Sequence, residues 1–239
     1  MPTLSLETPD GHVRLELALP AAESTLGALA AAFLPLDDAA TGLAIARSTR
    51  EGQPITCREG CAHCCRQLVP LSAPEAFHLA GVVAAHGDRA AIEARFERVR
   101  AVLDRSWIGY ALRNRMAEDE RRAKELALGF FSLQQACPLL VDERCSIYAD
   151  RPVVCREYVV TTPVEGCTRP GIAPLRRVPL ALQLSEALAS VAGQRLGAEL
   201  GRTVPLPLAL AFADEHRALA ARTFPTDALV ADVLAALRV

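Results

Sequence analysis

Four cysteines within nine residues give this sequence a stretch that could bind a metal. The stretch CREGCAHCC contains Cys57, Cys61, Cys64 and Cys65. Thiolates are ligands of zinc and of iron–sulfur clusters, and thiols crowded together without a metal oxidise readily. The spacing Cys57-x3-Cys61-x2-Cys64 lets three thiols curl around one centre. Adjacent residues of an extended chain point to opposite sides, so we expect Cys65 to face another partner.

The other four cysteines form a looser group about seventy residues later. They are Cys137, Cys145, Cys155 and Cys167. Buried cysteine can act as a small hydrophobic residue, which explains one or two cysteines but not four in a polar loop. We therefore predict that all eight are metal ligands, either in two centres or in one centre that takes ligands from both groups.

Positively charged residues accompany both groups of cysteines. A metal bound by four thiolates carries net negative charge and is stabilised by nearby cations and N–H donors. Arg58, Arg66, Arg151 and Arg156 lie in the cysteine-bearing segments, and we predict that Arg151 and Arg156 contact the cofactor without ligating it. His63 could replace one sulfur in a zinc site, but we interpret it as an outer donor because there are enough cysteines.

The overall composition and charge exclude some classes of partner. The chain has 239 residues, a net charge of -2 and a pI of about 6.2, so no overall field attracts nucleic acid or anionic lipid. It shows no secretory signal, and we expect no apolar run of membrane-spanning length. We expect a cytoplasmic protein whose partner is a metal ion or cluster, with no nucleic acid and no membrane; a protein partner is not specified. No motif identifies catalytic residues.

The periodicity predicts a mainly α fold. Residues 3–19 alternate around Pro9-Asp10-Gly11, as expected of a β-hairpin. We predict an N-terminal hairpin over 1–20 and a single helical domain over 21–239 that carries a cysteine-rich metal-binding loop region. Within it we expect two short helices broken near Pro35, a helix capped by Ser72-Ala-Pro-Glu75 that stops at Gly87, and a charged, solvated helix face over Arg113–Glu125.

Apolar stripes at helical spacing predict further helices. The stripes are Ile92, Phe96, Val99 and Leu103; Leu180, Leu184, Leu188 and Val191; Leu208, Phe212 and Leu219; and Leu229, Val233 and Leu237.

The two cysteine segments resemble a known family. EGCAHCCRQLVPLSAPEA followed by CPLLVDERCSIYADRPVVCREY looks like the YkgJ-type cysteine-cluster family, also called the CxxCxxCC domain, a zinc- or iron-chelating domain. The resemblance covers roughly Cys57 to Tyr158. It implies that the cysteines from Cys57 to Cys155 are ligands, and it also matches Tyr148, Arg151-Pro152 and Arg156. The first gap has three residues rather than the family's two, and Cys167 lies beyond the motif.

Three functions remain open at this stage. The first is a metal-binding protein that holds an iron–sulfur cluster, as [4Fe–4S], or zinc, with the two undecided. The second is an iron–sulfur enzyme that modifies protein with S-adenosylmethionine, because flagellin lysine-N-methylases carry a similar cluster. Cys57-x3-Cys61-x2-Cys64 also matches the radical S-adenosylmethionine pattern, although the helices after Cys65 do not fit that class's β/α barrel. The third is a thiol redox sensor built on Cys64 and Cys65.

Overall fold

Helices dominate the computed structural model, which describes residues 3–20, 22–114, 119–172 and 174–237. The mainly α fold with a small N-terminal hairpin, as predicted, is confirmed. The helices of the described residues are α1 (Leu26–Arg50), α2 (Ala73–Ala85), α3 (Arg89–Asp104), α4 (Trp107–Arg113), α5 (Glu120–Ser132), α6 (Val153–Glu157), α7 (Leu184–Leu196), α8 (Ala209–Glu215), α9 (Arg217–Ala220) and α10 (Thr226–Ala236).

Short strands pair in four antiparallel ladders. The strands are β1 (Thr3–Thr8), β2 (Gly11–Glu16), β3 (Glu23–Thr25), β4 (Pro70–Leu71), β5 (Leu140–Val141), β6 (Arg144–Cys145), β7 (Val204–Pro205) and β8 (Thr223–Pro225). The predicted hairpin is β1–β2; the sequence did not predict β3–β8, β4–β7 or β5–β6. No parallel ladder occurs in the described part of the chain, so no β/α barrel is formed there.

The main hydrophobic core lies between α1, α2, α7, α8 and α10, and the hairpin closes one side of it with Leu4 and Val13. A second core joins α3, α4 and α5. The predicted stripe Ile92, Phe96, Val99 and Leu103 is buried along α3, and it spans both cores. Ser72 and Glu75 form the predicted capping box at the start of α2. This box fixes where the loop of clustered cysteines ends.

One long helix replaces the two short helices expected on either side of Pro35. The prediction was wrong, because α1 runs without a break from Leu26 to Arg50 with Pro35 inside it. Pro35 lies on the exposed face, where water can reach the carbonyl that proline cannot bond. Phe33 and Leu36, on the opposite face, are fully buried and hold both halves of the helix against the core.

The charged segment Arg113–Glu125 is also divided. Helix α4 ends at Arg113, and α5 begins after the N-cap Asp119, whose side chain accepts a hydrogen bond from the Arg122 N–H at 2.7 Å. Residues 115–118 of the predicted helix face lie outside the described residues. The expectation of a continuous helix over this segment was therefore wrong.

Helix α1 is long and apolar enough to cross a membrane by length and composition alone. It is the one such helix in the described ranges, and half of its most apolar window is buried inside the protein. Core helices of soluble proteins pass the same test, so this feature does not assign α1 to a membrane.

The β3–β8 ladder joins two distant parts of the chain. Glu23 pairs with Pro225, and Thr25 pairs with Thr223. Beside this ladder the buried hydroxyls of Ser24 and Thr226 share a hydrogen bond of 2.8 Å. The ladder thus closes a loop of about 200 residues that contains every cysteine.

Candidate metal centre

A tight turn carries the first group of cysteines. Gly60 has a φ of +80°, which favours glycine, and the Cys61 N–H donates to the Arg58 carbonyl at 3.0 Å. A 3₁₀ turn, His63–Arg66, follows and contains Cys64 and Cys65. After this turn come the short strand β4 and then α2, which begins at Ala73.

A backbone hydrogen bond and a short hairpin position Cys137 and Cys145 of the second group of cysteines. The Cys137 N–H donates to the Cys65 carbonyl at 2.7 Å, which joins the two groups directly. Asp142 and Glu143, with φ of +48° and +58°, form the tight turn between β5 and β6. This hairpin places Cys145, the last residue of β6, opposite Leu140.

The remaining two cysteines lie on short helical segments. Cys155 is in α6, and Cys167 is in the 3₁₀ turn Val164–Thr168. The Gln67 side chain donates to the Cys167 carbonyl at 2.8 Å, so this turn is bound to the end of the first cysteine loop. The Val160 N–H donates to the Cys57 sulfur at 3.4 Å, which adds a second link between the same two regions.

The eight thiols divide into two neighbourhoods. Cys57, Cys61 and Cys167, called the first set here, pack together around Val160 and Val164. Cys65, Cys137, Cys145 and Cys155 form the second set: Cys137 and Cys145 pack against the main core, and charge interactions couple Cys137 to the other three. Cys64 lies between the sets, because its charge raises the pKa of thiols in both.

The fold makes thiolates costly where no cation is present. Removal from water, followed by the charges of neighbouring cysteines, raises the pKa of Cys137 to about 12 and of Cys167 to about 11. The same causes raise the pKa of Cys155 well above its ordinary value. Such an accumulation of groups that repel one another as anions is stabilised when a metal cation binds them.

Cys64 and Cys65 behave as a coupled pair. The interaction between their neighbouring thiols lowers the pKa of Cys64 to about 7 and raises the pKa of Cys65. The first proton therefore leaves the pair readily and the second leaves with difficulty. All eight cysteines are free thiols rather than disulfides. Cys64 is the thiol best prepared to start metal binding at neutral pH.

The donors match a thiolate-binding metal, but they are not preassembled. In the described ranges, no group of three or more His, Cys, Asp or Glu side chains stands in an arrangement that could hold a metal ion. The number and type of donors nevertheless suit four-thiolate zinc or a [4Fe–4S] cluster. A centre would close only as thiol side chains turn toward the metal.

Two arginines place positive charge near thiols of the second set. The guanidinium of Arg151 stacks over Tyr148, and its charge favours the thiolate of Cys145. Arg66 forms an ion pair with Glu143 at 2.9 Å and lies close enough to Cys65 for their charges to interact. These two arginines border the second set, and the contact of Arg151 with a cofactor stays a prediction.

Arg156 instead supports the helix that bears Cys155. Its guanidinium donates to the carboxylate of Asp38 on α1 at 2.5 Å, to the carbonyl of Arg151 at 2.9 Å, and to that of Ala149. The residue is 4% exposed, and in the described residues all its hydrogen bonds go to these groups rather than to a thiol. Its contact with a cofactor remains a prediction; its observed contacts fasten α6 to α1.

Sequence reasoning missed two residues beside the second set. Arg95 on α3 donates to the Pro138 carbonyl at 2.6 Å, and its charge favours the thiolate of Cys137. Glu75 accepts a hydrogen bond from the Val153 N–H at 2.9 Å, at the start of the helix that carries Cys155. Helical periodicity does not indicate the contact of Arg95. The capping box predicts that Glu75 caps α2, but not that it also accepts a hydrogen bond from Val153.

Comparison with known proteins gives one match. The family model described as "CxxCxxCC: Putative zinc- or iron-chelating domain" matches residues 56–170, just under half of the chain. No curated protein and no solved structure matches this chain. The matched segment contains all eight cysteines, and the description supports metal binding without selecting the metal.

Proposed function

We propose that the protein is a metal-binding module with two adjacent thiolate centres, because residues 56–170 match the family model of the CxxCxxCC zinc- or iron-chelating domain. The first centre uses Cys57, Cys61 and Cys167 together with Cys64. The second uses Cys65, Cys137, Cys145 and Cys155. Each holds zinc or an iron–sulfur cluster, in a cytoplasmic protein whose reducing surroundings keep the thiols available.

The division of the eight free thiols into two neighbourhoods is the observation that carries this proposal. A four-thiolate site needs ligands that can reach one point. The first set packs around Val160 and Val164, whereas Cys137 and Cys145 of the second set pack against the main core. Cys64 interacts with thiols of both sets, whereas the charge partners of Cys65 other than Cys64 belong to the second set, so Cys64 is the thiol that can complete the first set. Assigning one to each centre gives every centre four thiols, as closed zinc and [4Fe–4S] sites require.

Metal analysis of protein purified without oxygen tests the proposal and identifies the metal. Absorption near 400 nm with about equal iron and acid-labile sulfide would identify iron–sulfur clusters. A colourless protein with zinc would identify thiolate zinc sites. Metal-free protein with a full count of free thiols would contradict the proposal.

Serine substitutions test the assignment of ligands to two centres. We expect C61S and C145S each to lose about half of the bound metal, because each removes one ligand from a different centre. The double variant should lose nearly all of it. Loss of all metal from either single variant would instead indicate one shared centre. Ser146→Ala, which changes a side chain next to Cys145 without removing a thiol, is the matched control.

Metal binding should release protons, because burial and mutual repulsion keep most of these thiols protonated at neutral pH. The raised pKa values of Cys137 and Cys167, about 12 and 11, have this consequence. We expect about one proton to be released for each thiol that binds, and an apparent affinity that increases with pH between about 6 and 8. Titration with zinc in a weakly buffered indicator solution measures the release. Release of fewer than half that number would mean that the thiols are already ionised.

The neighbouring thiols of Cys64 and Cys65 favour a second candidate function, a thiol redox sensor. A thiol with a pKa of about 7 is substantially ionised at neutral pH and reacts with oxidants as the thiolate. Mild peroxide followed by mass spectrometry would detect a loss of two hydrogens across these residues. Oxidation of metal-free protein at this pair, reversed by a dithiol, would favour the sensor, whereas protection by bound metal would favour the metal-binding module.

A further inference from the structure

The side chain of Tyr158 lies against the first set of thiols. Tyr158 follows α6 and is half-buried. It packs against the buried cluster of Val160, Val164 and Cys167, against which the other two thiols of the first set also pack. Burial raises the pKa of Tyr158 and the charge of Cys167 raises it further, so the phenol and this thiol lie close together. Of the eight cysteines, Cys167 alone is buried. Tyr158 therefore lies beside the least accessible thiol of the chain.

Arg177 holds the same ring from the other side. The central carbon of its guanidinium stands 4.9 Å from the centre of the Tyr158 ring, in a cation–π contact. The backbone of Arg177 pairs with that of Val160 in an antiparallel bridge. The next residues, Val159 and Val178, pack together in a different cluster. Because side chains alternate along an extended chain, Arg177 and Tyr158 share the face that carries the first set.

Three side chains lie in order from the solvent to the thiols. Arg177 is exposed, Tyr158 is half-buried, and Cys167 is buried. The apolar shell around a metal site controls the access of solvent to its ligands. The ring of Tyr158 stands between the guanidinium and the cluster of Cys167, so its movement controls access from this side.

We propose that Tyr158, positioned by Arg177, covers Cys167 and sets the rate of metal exchange at the first centre. The inference rests on the proposed two-centre function, since Cys167 is a ligand only of the first centre. Opening of the ring gives solvent access to Cys167, and closing removes that access. A cover of this kind changes the rates of uptake and release together and leaves the equilibrium affinity nearly unchanged.

Alkylation of the metal-free, full-length protein tests the cover without any metal. Cys167 and the partly exposed Cys57 each lie alone on a tryptic peptide, so mass spectrometry after iodoacetamide gives the ratio of their reactivities. We expect Y158A to raise the reactivity of Cys167 several-fold relative to Cys57, and Y158F, which keeps the ring, to match the wild type. R177Q should raise it about threefold, because an exposed cation–π contact stabilises the closed ring by about that factor.

Zinc exchange in C145S tests the consequence for the metal, because the zinc that this variant keeps belongs to the first centre. Uptake and release, followed with a chromogenic zinc chelator, should both be faster with Y158A or R177Q added, while the affinity stays within about twofold. Tyr148→Ala is the matched control. Arg151 also stacks over Tyr148, but that ring is 42% exposed and lies in none of the hydrophobic clusters of the described residues.

Two results would overturn this inference. One is equal reactivity of Cys167 in wild type, Y158A and R177Q. The other is a change of zinc affinity without a change in both rates, which would mean that Tyr158 has a structural role only. Arg177 is exposed, so R177Q should keep the thermal midpoint of the wild type and gives a result even where Y158A folds poorly. Loss of all zinc from C145S would instead contradict the two centres on which the inference rests.

Discussion

The protein is expected to lose several kcal/mol of unfolding free energy as the pH rises from about 4 to about 8, through two buried carboxyls. Asp37 on α1 is 3% exposed, and its Oδ2 has no hydrogen-bond partner in the described residues. Burial, followed by the charge of Glu157, raises its pKa from 3.8 to about 8. Burial likewise raises the pKa of Glu75 to about 7.

The free energy of unfolding decreases with rising pH because the folded protein holds protons that the unfolded chain has lost. Between about pH 4 and 8 the unfolded chain has already lost the Asp37 proton, whereas the folded protein still keeps it. Unfolding therefore releases a proton, and rising pH favours the unfolded state by about 1.4 kcal/mol per pH unit for each such group. The stability that these carboxyls contribute is fully present below about pH 4 and is lost as the pH passes through about 7 for Glu75 and about 8 for Asp37.

Urea unfolding at pH 5, 6.5 and 8 measures this effect, and Asp37→Asn isolates the contribution of one carboxyl. Wild type and variant are compared in the same metal state, since thiolates bound to metal have a pH dependence of their own. The variant should become more stable relative to wild type as the pH rises. Asp88→Asn is the control, because the exposed Asp88 side chain makes no capping bond. A constant difference between D37N and wild type across this range would contradict the prediction.

Removing the Glu75 side chain is expected to destabilise the protein by about 2 to 4 kcal/mol and to reduce metal in the second set. Its carboxylate accepts from the N–H and the hydroxyl of Ser72 at 2.8 and 2.7 Å, which caps α2. The other oxygen accepts from the Val153 N–H at 2.9 Å, at the start of the helix that carries Cys155. Glu75→Ala therefore leaves buried donors of two helices without an acceptor.

Ser72→Ala separates the two roles of Glu75. This variant weakens the cap of α2 but keeps the bond between Glu75 and Val153, so we expect a loss of about 1 kcal/mol with metal content unchanged. Glu93→Ala, which removes an exposed ion pair with Arg89, should change stability by less than about 0.5 kcal/mol. Denaturant unfolding and metal analysis of the three variants give the result. Equal metal content in Glu75→Ala and wild type would show that the bond to Val153 does not support the centre.

The features predicted from sequence are those that depend on nearby residues. The capping box of Ser72 and Glu75 and the buried stripe of α3 follow from local spacing and agree with the structure. Pro35 led to a wrong prediction. Proline disfavours a helix locally, but the burial of Phe33 and Leu36 stabilises α1 on both sides of it. The β3–β8 ladder joins residues about 200 positions apart, and no local pattern indicates such a pair.

In the candidate site, too, the features that depend on nearby residues could be predicted and those that depend on distant contacts could not. Residue type alone singled out all eight cysteines, and the adjacency of Cys64 and Cys65 predicted that they have different neighbours. Which thiols share a neighbourhood depends on distant contacts, such as the bond from the Cys137 N–H to the Cys65 carbonyl. Arg95 was missed for the same reason, since its partner, the Pro138 carbonyl, is 43 residues away.

The β3–β8 ladder also sets an order of events during synthesis. A ribosome makes residues 57–167 before residues 223–225, so all eight thiols have been made while the ladder still lacks its second strand. Closing a loop of this length carries a large entropy cost, and contacts so far apart in sequence form late. The nascent chain therefore contains all eight thiols before the β3–β8 ladder can form and close the loop around them.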